Sequence, residues 1–277
     1  MTTIAQCLKR SEELLGVSDS AQLDIQLLLA SCIEQSRTFL ITWPERELTE
    51  EQLAAFGSLV ERRKHGEPIA YLIKQQGFWS LDLSVSPTTL IPRPETELLV
   101  EQALIFLSAK AHSKIVDLGT GSGAIALALA KELPVSEVLG VDVDQASVGL
   151  AKSNAARNNI GNVSFILSSW YAEVSGLFDL IVSNPPYIAA DDPHLTQGDV
   201  RFEPLRALIG GIDGLEDLRI IIHQAPHYLH TGGALMVEHG YDQKHAVSQL
   251  FKQSEFVDIC CYQDLAGQDR ITVGVKA

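Results

Sequence analysis

Ile115-Val116-Asp117-Leu118-Gly119-Thr120-Gly121-Ser122-Gly123, running on into the Ala/Leu-rich stretch from Ala124 to Leu133, sets the architecture of this chain. An apolar strand ends in an acid, glycines turn the backbone sharply, and a helical segment follows at once. This is a nucleotide-binding loop in its strand-turn-helix context. Downstream, strand patterns at 114–118, 137–142, 163–167, 178–183, 233–238, 256–262 and 270–275 alternate, for the most part, with helical ones. That rhythm predicts a doubly wound α/β domain, in which ligands sit beyond the carboxyl ends of the strands at the switch point. Residues just after the first, second and fourth of these strands are the ones to watch.

Upstream of the loop the period changes. Residues 1–76 read as a small helix bundle, with apolar positions at Ile4, Leu8, Leu14 and Leu15, at Leu23, Leu27, Leu28 and Cys32, and at Leu53, Phe56, Leu59 and Val60. Thr49 and Gln52 form a capping-box pattern before the third segment, which Gly66 and Pro68 close. The cluster Arg62-Arg63-Lys64-His65 then falls at a helix end, where cations suit the dipole, and reads as a solvated terminus. From Gly77 the alternation of Phe78, Leu81, Leu83 and Val85 predicts a hairpin over 77–90 that links the bundle to a domain over 91–277.

Composition narrows the function classes. Of 277 residues, 21 are Lys or Arg and 35 are Asp or Glu, a net charge of −14 that repels naked nucleic acid and predicts no direct nucleic-acid partner. No apolar run reaches the roughly 18 residues needed to cross a bilayer, and the start of the chain carries no signal-like region, so a soluble cytoplasmic protein is expected. Cys7, Cys32, Cys260 and Cys261 include no Cys-x-x-Cys pair, which supports neither a disulfide framework nor a zinc site. His223, His227 and His230 are spaced for one helix face but lack a carboxylate or cysteine to complete a set, and Pro226 interrupts them, so no metal is expected.

In the loop, Gly119, Gly121 and Gly123 permit the turn and a close approach of ligand to backbone, while Asp142, ending the next strand, is placed to accept ribose hydroxyls. Gly119, Gly121 and Ala124 also satisfy the dinucleotide fingerprint, so an NAD enzyme is a competing reading. Asp117 bears on that choice. A carboxylate at the mouth of the loop repels a pyrophosphate and attracts a cation, by about 4 kcal/mol at 4 Å and an effective dielectric of 20. S-adenosylmethionine, with a ribose, an ammonium and a sulfonium but no phosphate, suits acids at 117 and 142. Alternatively, Asp117 simply caps the following turn.

The sharpest signal is Asn184-Pro185-Pro186-Tyr187, directly after the strand Phe178 to Ser183. Two prolines fix the backbone and remove N–H donors, leaving carbonyls as acceptors in a rigid arc beside the Asn184 amide oxygen. Such a site grips a substrate NH₂ by both hydrogens, polarises a poorly nucleophilic amide or aromatic amine, and aims it at an electrophilic methyl.

With these residues in place, the chain closely resembles the class I S-adenosylmethionine-dependent methyltransferases, and within them the HemK/PrmC family of peptide-chain-release-factor glutamine methyltransferases. The likeness covers almost the whole length. It includes Gly66-Glu67-Pro68-Ile69, Phe78-Trp79, Ile91-Pro92-Arg93-Pro94-Glu95-Thr96-Glu97 and Gln197 to Pro204. Asn-Pro-Pro-Tyr alone also resembles DNA adenine methyltransferases, which keeps a DNA or RNA amino-group methyltransferase as the alternative.

The resemblance implies a seven-stranded Rossmann-like sheet with its last strand antiparallel, joined by the hairpin to a small all-α domain that recognises the release factor. It assigns Gly119, Thr120, Gly121, Ser122 and Gly123 to the cofactor loop, Asp142 to the ribose and Trp170 to the adenine. Asn184, Pro185, Pro186 and Tyr187 hold the substrate glutamine of the Gly-Gly-Gln loop, with Asn184 also beside the cofactor. S-adenosylmethionine is the implied cofactor, S-adenosylhomocysteine its product and class I release factors the partners; a monomer is expected. One departure is Ser169, where the family often has an Asp before the Trp. Arg93 and Glu95 either orient the substrate loop or pair with each other, and Glu238-His239 either borders the pocket or is a satisfied strand end.

Overall fold

The computed structural model describes residues 2–277, which divide into two compact units. One comprises the described residues up to Gln75 together with 196–202; the other comprises 76–195 and 203–277. The helical unit holds α1 (Ile4–Leu8), α2 (Ala21–Cys32), α3 (Arg37–Thr42), α4 (Glu50–Lys64) and α5 (Ile69–Ile73), with a 3₁₀ turn at Lys9–Leu14. Ile4, Leu14, Leu28, Phe56 and Val60 form its core. Leu15 and Leu23, expected with them, face solvent: the 3₁₀ turn after α1 breaks the α-helical period before Leu15, and Leu23 lies off the face of α2 that buries Ala21, Ile25, Leu28 and Leu29. The Thr49–Gln52 capping box forms as expected, with Gln52 N donating to Thr49 Oγ1 at 3.2 Å and Thr49 N to Gln52 Oε1 at 3.1 Å.

The basic cluster ends α4 but is not uniformly solvated. Arg63 is buried, its Nε donating to Asp24 Oδ2 at 2.8 Å and its Nη1 to Asp199 Oδ1 at 3.2 Å. A buried guanidinium requires such paired acceptors, so this residue ties α2, α4 and the 196–202 stretch into one unit.

In the second unit a hairpin of β1 (Gln75–Phe78) and β2 (Leu81–Ser84) precedes α6 (Glu97–Leu107) and buries Phe78, Leu81 and Leu83 in the main core. Then follow β3 (Lys114–Leu118), α7 (Ala124–Glu132), β4 (Glu137–Asp142), α8 (Gln145–Arg157), β5 (Val163–Leu167) and β6 (Phe178–Ser183). The chain closes with α9 (Glu216–Gln224), β7 (Leu229–Glu238), α10 (Lys244–Gln253), β8 (Phe256–Gln263) and β9 (Asp269–Lys276). The seven-stranded sheet has the order β5-β4-β3-β6-β7-β9-β8; β5 to β7 run parallel, and β9 is antiparallel to both neighbours. The expected sheet is therefore present. β7 starts earlier than the expected 233, because an irregularity in its register lets Leu229 pair with Phe178.

Chain order reverses between β3 and β6, the switch point at whose carboxyl edge ligands bind. Leu118 pairs with Ser183, and Ser183 Oγ donates to the Leu118 carbonyl at 2.7 Å. The glycine loop and Asn184 thus leave adjacent strands side by side.

Candidate active site

At the end of β3 the main chain builds the loop. Gly119 N and Thr120 N both donate to the Val141 carbonyl, at 2.9 and 2.8 Å, Gly123 N donates to Thr120 O, and Gly121 N to Asp142 Oδ2 at 2.9 Å. Gly119 has φ +74°, and a Cβ there would meet the Trp170 ring at 3.3 Å, so glycine is required both by the turn and by the indole over it. A dinucleotide loop offers its free N–H groups to pyrophosphate. Here those at 119, 120, 121 and 123 are already spent on protein oxygens, which weakens the NAD reading.

A cavity opens beside this loop. Gly119, Thr120, Gly121, Ser122, Asp142 and Trp170 line it, and so do Asn184, Pro186 and Arg93 from the other side of the switch point. Asp142 Oδ1 also accepts from Asp144 N at 2.9 Å, and burial raises its pKa. Gly123 supports the loop from behind, at the start of α7. Ser169, the departure from the family pattern, lines the cavity as well.

Asp117 is placed differently from the expectation of a carboxylate at the loop mouth. It is fully buried and does not line the cavity. Oδ2 accepts from Thr120 Oγ1 at 2.6 Å and from Ala126 N at 3.2 Å, so it caps the turn into α7, the alternative role. Its Oδ1 has no hydrogen-bond partner among the described residues, and burial pushes its pKa up to about 7.

The Asn184 turn also narrows the expected arc of acceptors. The Tyr187 carbonyl already accepts from Gln243 Nε2 at 2.9 Å, and the Pro186 carbonyl lies so close to Gly210 that a Cβ there would approach it to 2.4 Å. Asn184 and Pro186 line the cavity, whereas Pro185, which is buried, and Tyr187 do not; of the turn's expected acceptors, the Asn184 side chain is the one the cavity meets directly. Asn184 Nδ2 donates to Thr96 Oγ1 at 3.1 Å, Thr96 Oγ1 to Glu238 Oε2 at 2.7 Å, and Tyr187 OH to Glu238 Oε1 at 3.2 Å. Glu238 is buried and does not line the cavity, and its pKa is pushed up to about 7 by that burial. Arg93 pairs with Glu203 and not with Glu95, which is exposed.

Several lining residues escaped the sequence, Thr96, Asp217 and Arg206 among them. Thr96 lies inside the Pro-Arg-Pro-Glu-Thr-Glu segment but carries no signal of its own. Asp217, near the start of α9, takes a hydrogen bond from the Trp170 side chain, and Arg206 bonds Asp144 Oδ2 at 2.9 Å and Thr88 O at 2.8 Å. The lining therefore joins an indole and apolar side chains to acids, and its two arginines, Arg93 and Arg206, are already paired. A cationic, phosphate-free nucleoside fits it.

The fold is that of a methyltransferase. A solved methyltransferase from Pyrococcus furiosus superposes with TM-score 0.54 over 80% of this chain and 99% of that one at 20% identity, and the methyltransferase small domain matches residues 94–199. The PrmC N-terminal domain matches residues 6–73. The release factor glutamine methyltransferase of Aliivibrio fischeri is 49% identical over 98% of this chain and 97% of its own, and that of Pseudomonas aeruginosa 51% identical over 99% of each. The chain belongs to the release factor glutamine methyltransferase family.

Proposed function

We propose that this enzyme transfers a methyl group from S-adenosylmethionine to the side-chain amide nitrogen of the Gly-Gly-Gln glutamine in class I release factors, with Asn184 as the residue that holds that amide. The observation that carries the reading is the Leu118–Ser183 pairing, which sets a nucleoside-fitting loop and an amide-gripping turn on one cavity. Asp142 would hold the ribose and Trp170 the adenine. Bound S-adenosylmethionine supplies an electrophilic sulfonium methyl. Asn184 Oδ1 accepts an amide hydrogen, which orients the nitrogen and raises its electron density. Once alkylated, the nitrogen sheds a proton acidic enough to need no strong base, so neither buried carboxylate is asked to remove it.

Residues 1–76 are assigned to release-factor recognition, 77–90 to the connection and 91–277 to transfer. Among the described residues no helix is long and apolar enough to cross a membrane. A cytoplasmic monomer without direct nucleic-acid contact agrees with the −14 net charge.

The test is methyl transfer to a release factor, followed by mass spectrometry of its loop peptide. Asn184→Ala should lower turnover by roughly 10² to 10³ while cofactor affinity changes by only about threefold. Unchanged turnover would remove Asn184 from its role, and label entering DNA or RNA but not the release factor would favour an amino-group nucleic-acid methyltransferase.

A further inference from the structure

We propose that Glu238, acting through the Thr96 hydroxyl, is a positioning residue that fixes which face of the Asn184 carboxamide the substrate meets. The inference rests on Asn184 being the amide clamp. Thr96 is 4% and Glu238 2% exposed, and they come from distant parts of the chain, the turn before α6 and the end of β7. A threonine hydroxyl carries one hydrogen. Thr96 gives it to Glu238 Oε2, so towards Asn184 it can only accept. Asn184 must therefore turn its NH₂ to Thr96, which leaves the carbonyl oxygen as the atom available to a substrate NH₂. Tyr187 OH, from the same turn, holds the other carboxylate oxygen. Both Glu238 oxygens are thus bound to groups that belong to, or touch, the substrate-side turn.

The device has a second state. A protonated Glu238 can itself donate to Thr96, whose hydrogen is then free for Asn184 Oδ1. The carboxamide turned over in this way presents NH₂ to NH₂, two donors facing each other, and the grip is lost. Around Glu238, Arg270 and the Thr96 and Tyr187 hydroxyls favour the ionised form, while burial and the Glu95 carboxylate oppose it. Arg93 and Arg270 act in turn on Tyr187, and the adjacent His239 is occupied with the Gly240 carbonyl and Thr272. The balance places the carboxyl at about 7, so the aligned form grows as pH rises through neutrality.

The experiment compares the full chain with Thr96→Val, Thr96→Ser, Glu238→Gln and Asn184→Ala. It measures kcat and KM with a release factor from about pH 5.5 to about 9, alongside cofactor Kd and thermal unfolding. Thr96→Val should lose about 10- to 100-fold in kcat, with release-factor KM and cofactor Kd moving by less than about threefold. Thr96→Ser should restore most of it. The wild-type rise in kcat near pH 7 should vanish in Thr96→Val and in Glu238→Gln, whose amide can donate to Thr96 at any pH. Should Glu238→Gln fail to fold, the Val/Ser pair at 96 still decides. Thr96→Val with wild-type kcat and an intact pH limb, or with its loss confined to cofactor Kd, while Asn184→Ala is inactive, overturns the relay and leaves the clamp standing. An active Asn184→Ala overturns both.

Discussion

At the ends of β3 and β4 the main chain does the holding: four loop N–H groups bond protein oxygens, and Asp142 steadies the turn from one side. At the ends of β6 and β7 side chains do it, through Asn184, Thr96, Tyr187 and Glu238. Each half buries one carboxyl near neutrality, Asp117 or Glu238. They are not equivalent, because Glu238 has a donor on each oxygen whereas Asp117 has both donors on Oδ2 and none on Oδ1. The difference teaches that a loop can be held in shape by its own main-chain bonds, while the Asn184 amide is held in orientation by a network of side chains.

The largest expected effect sharpens the contrast between the two acids. Asp117 has its folded pKa raised from 3.8 to about 7, so the fold favours its neutral form. Its contribution to stability is then fully present below about pH 4 and is lost as pH rises through about 7. Asp117→Asn keeps an oxygen for Thr120 and Ala126 but cannot ionise. Between about pH 4 and just above 7 the wild type should lose on the order of 4 kcal/mol relative to this variant, with little further change above. Thermal unfolding across that range measures it, and parallel curves would mean that Asp117 ionises normally in the fold.

Next in size is a test of whether the halves divide the work. Asp142→Ala removes the proposed ribose acceptor and should cost about 2 kcal/mol, roughly 30-fold, in cofactor affinity by calorimetry. At saturating cofactor, kcat should stay within about threefold of wild type, the reverse of the Asn184→Ala pattern. A fall in kcat as large as the fall in affinity would mean that the loop, too, positions the reacting groups.

The same division explains what could be read from the chain. The loop, Asp142 and the α/β alternation were legible because glycine freedom, strand length and helix period are local properties. Asn184-Pro185-Pro186-Tyr187 was legible for the same reason. Thr96 was not, and Glu238 stood out only as a polar strand end, since their meaning lies in hydrogen bonds between residues 88 and 142 positions apart along the chain. Asp117 was visible, but its burial was not, because a mouth carboxylate and a turn cap share one sequence. Arg63 misled in the same way: its charge fits a helix end, while its partners Asp24 and Asp199 are set by tertiary packing.

The smallest effect is expected at the opposite end of the strands that carry the loop. Lys114 and Glu137 start β3 and β4, pair with each other in register, and approach at 3.8 Å with 61% and 80% of their side chains exposed. Water screens such a pair and holding two long side chains costs entropy, so removing it is worth about 0.3 kcal/mol. Lys114→Ala should shift Tm by about 1 °C or less, the shift shrinking further in high salt. Cofactor Kd and kcat should not move, because the main chain of β3 transmits nothing from its amino end that the loop does not already fix through Val141. A measurable loss of cofactor affinity in this variant would show that strand register, and not the local bonds of the loop, holds the cofactor half in shape.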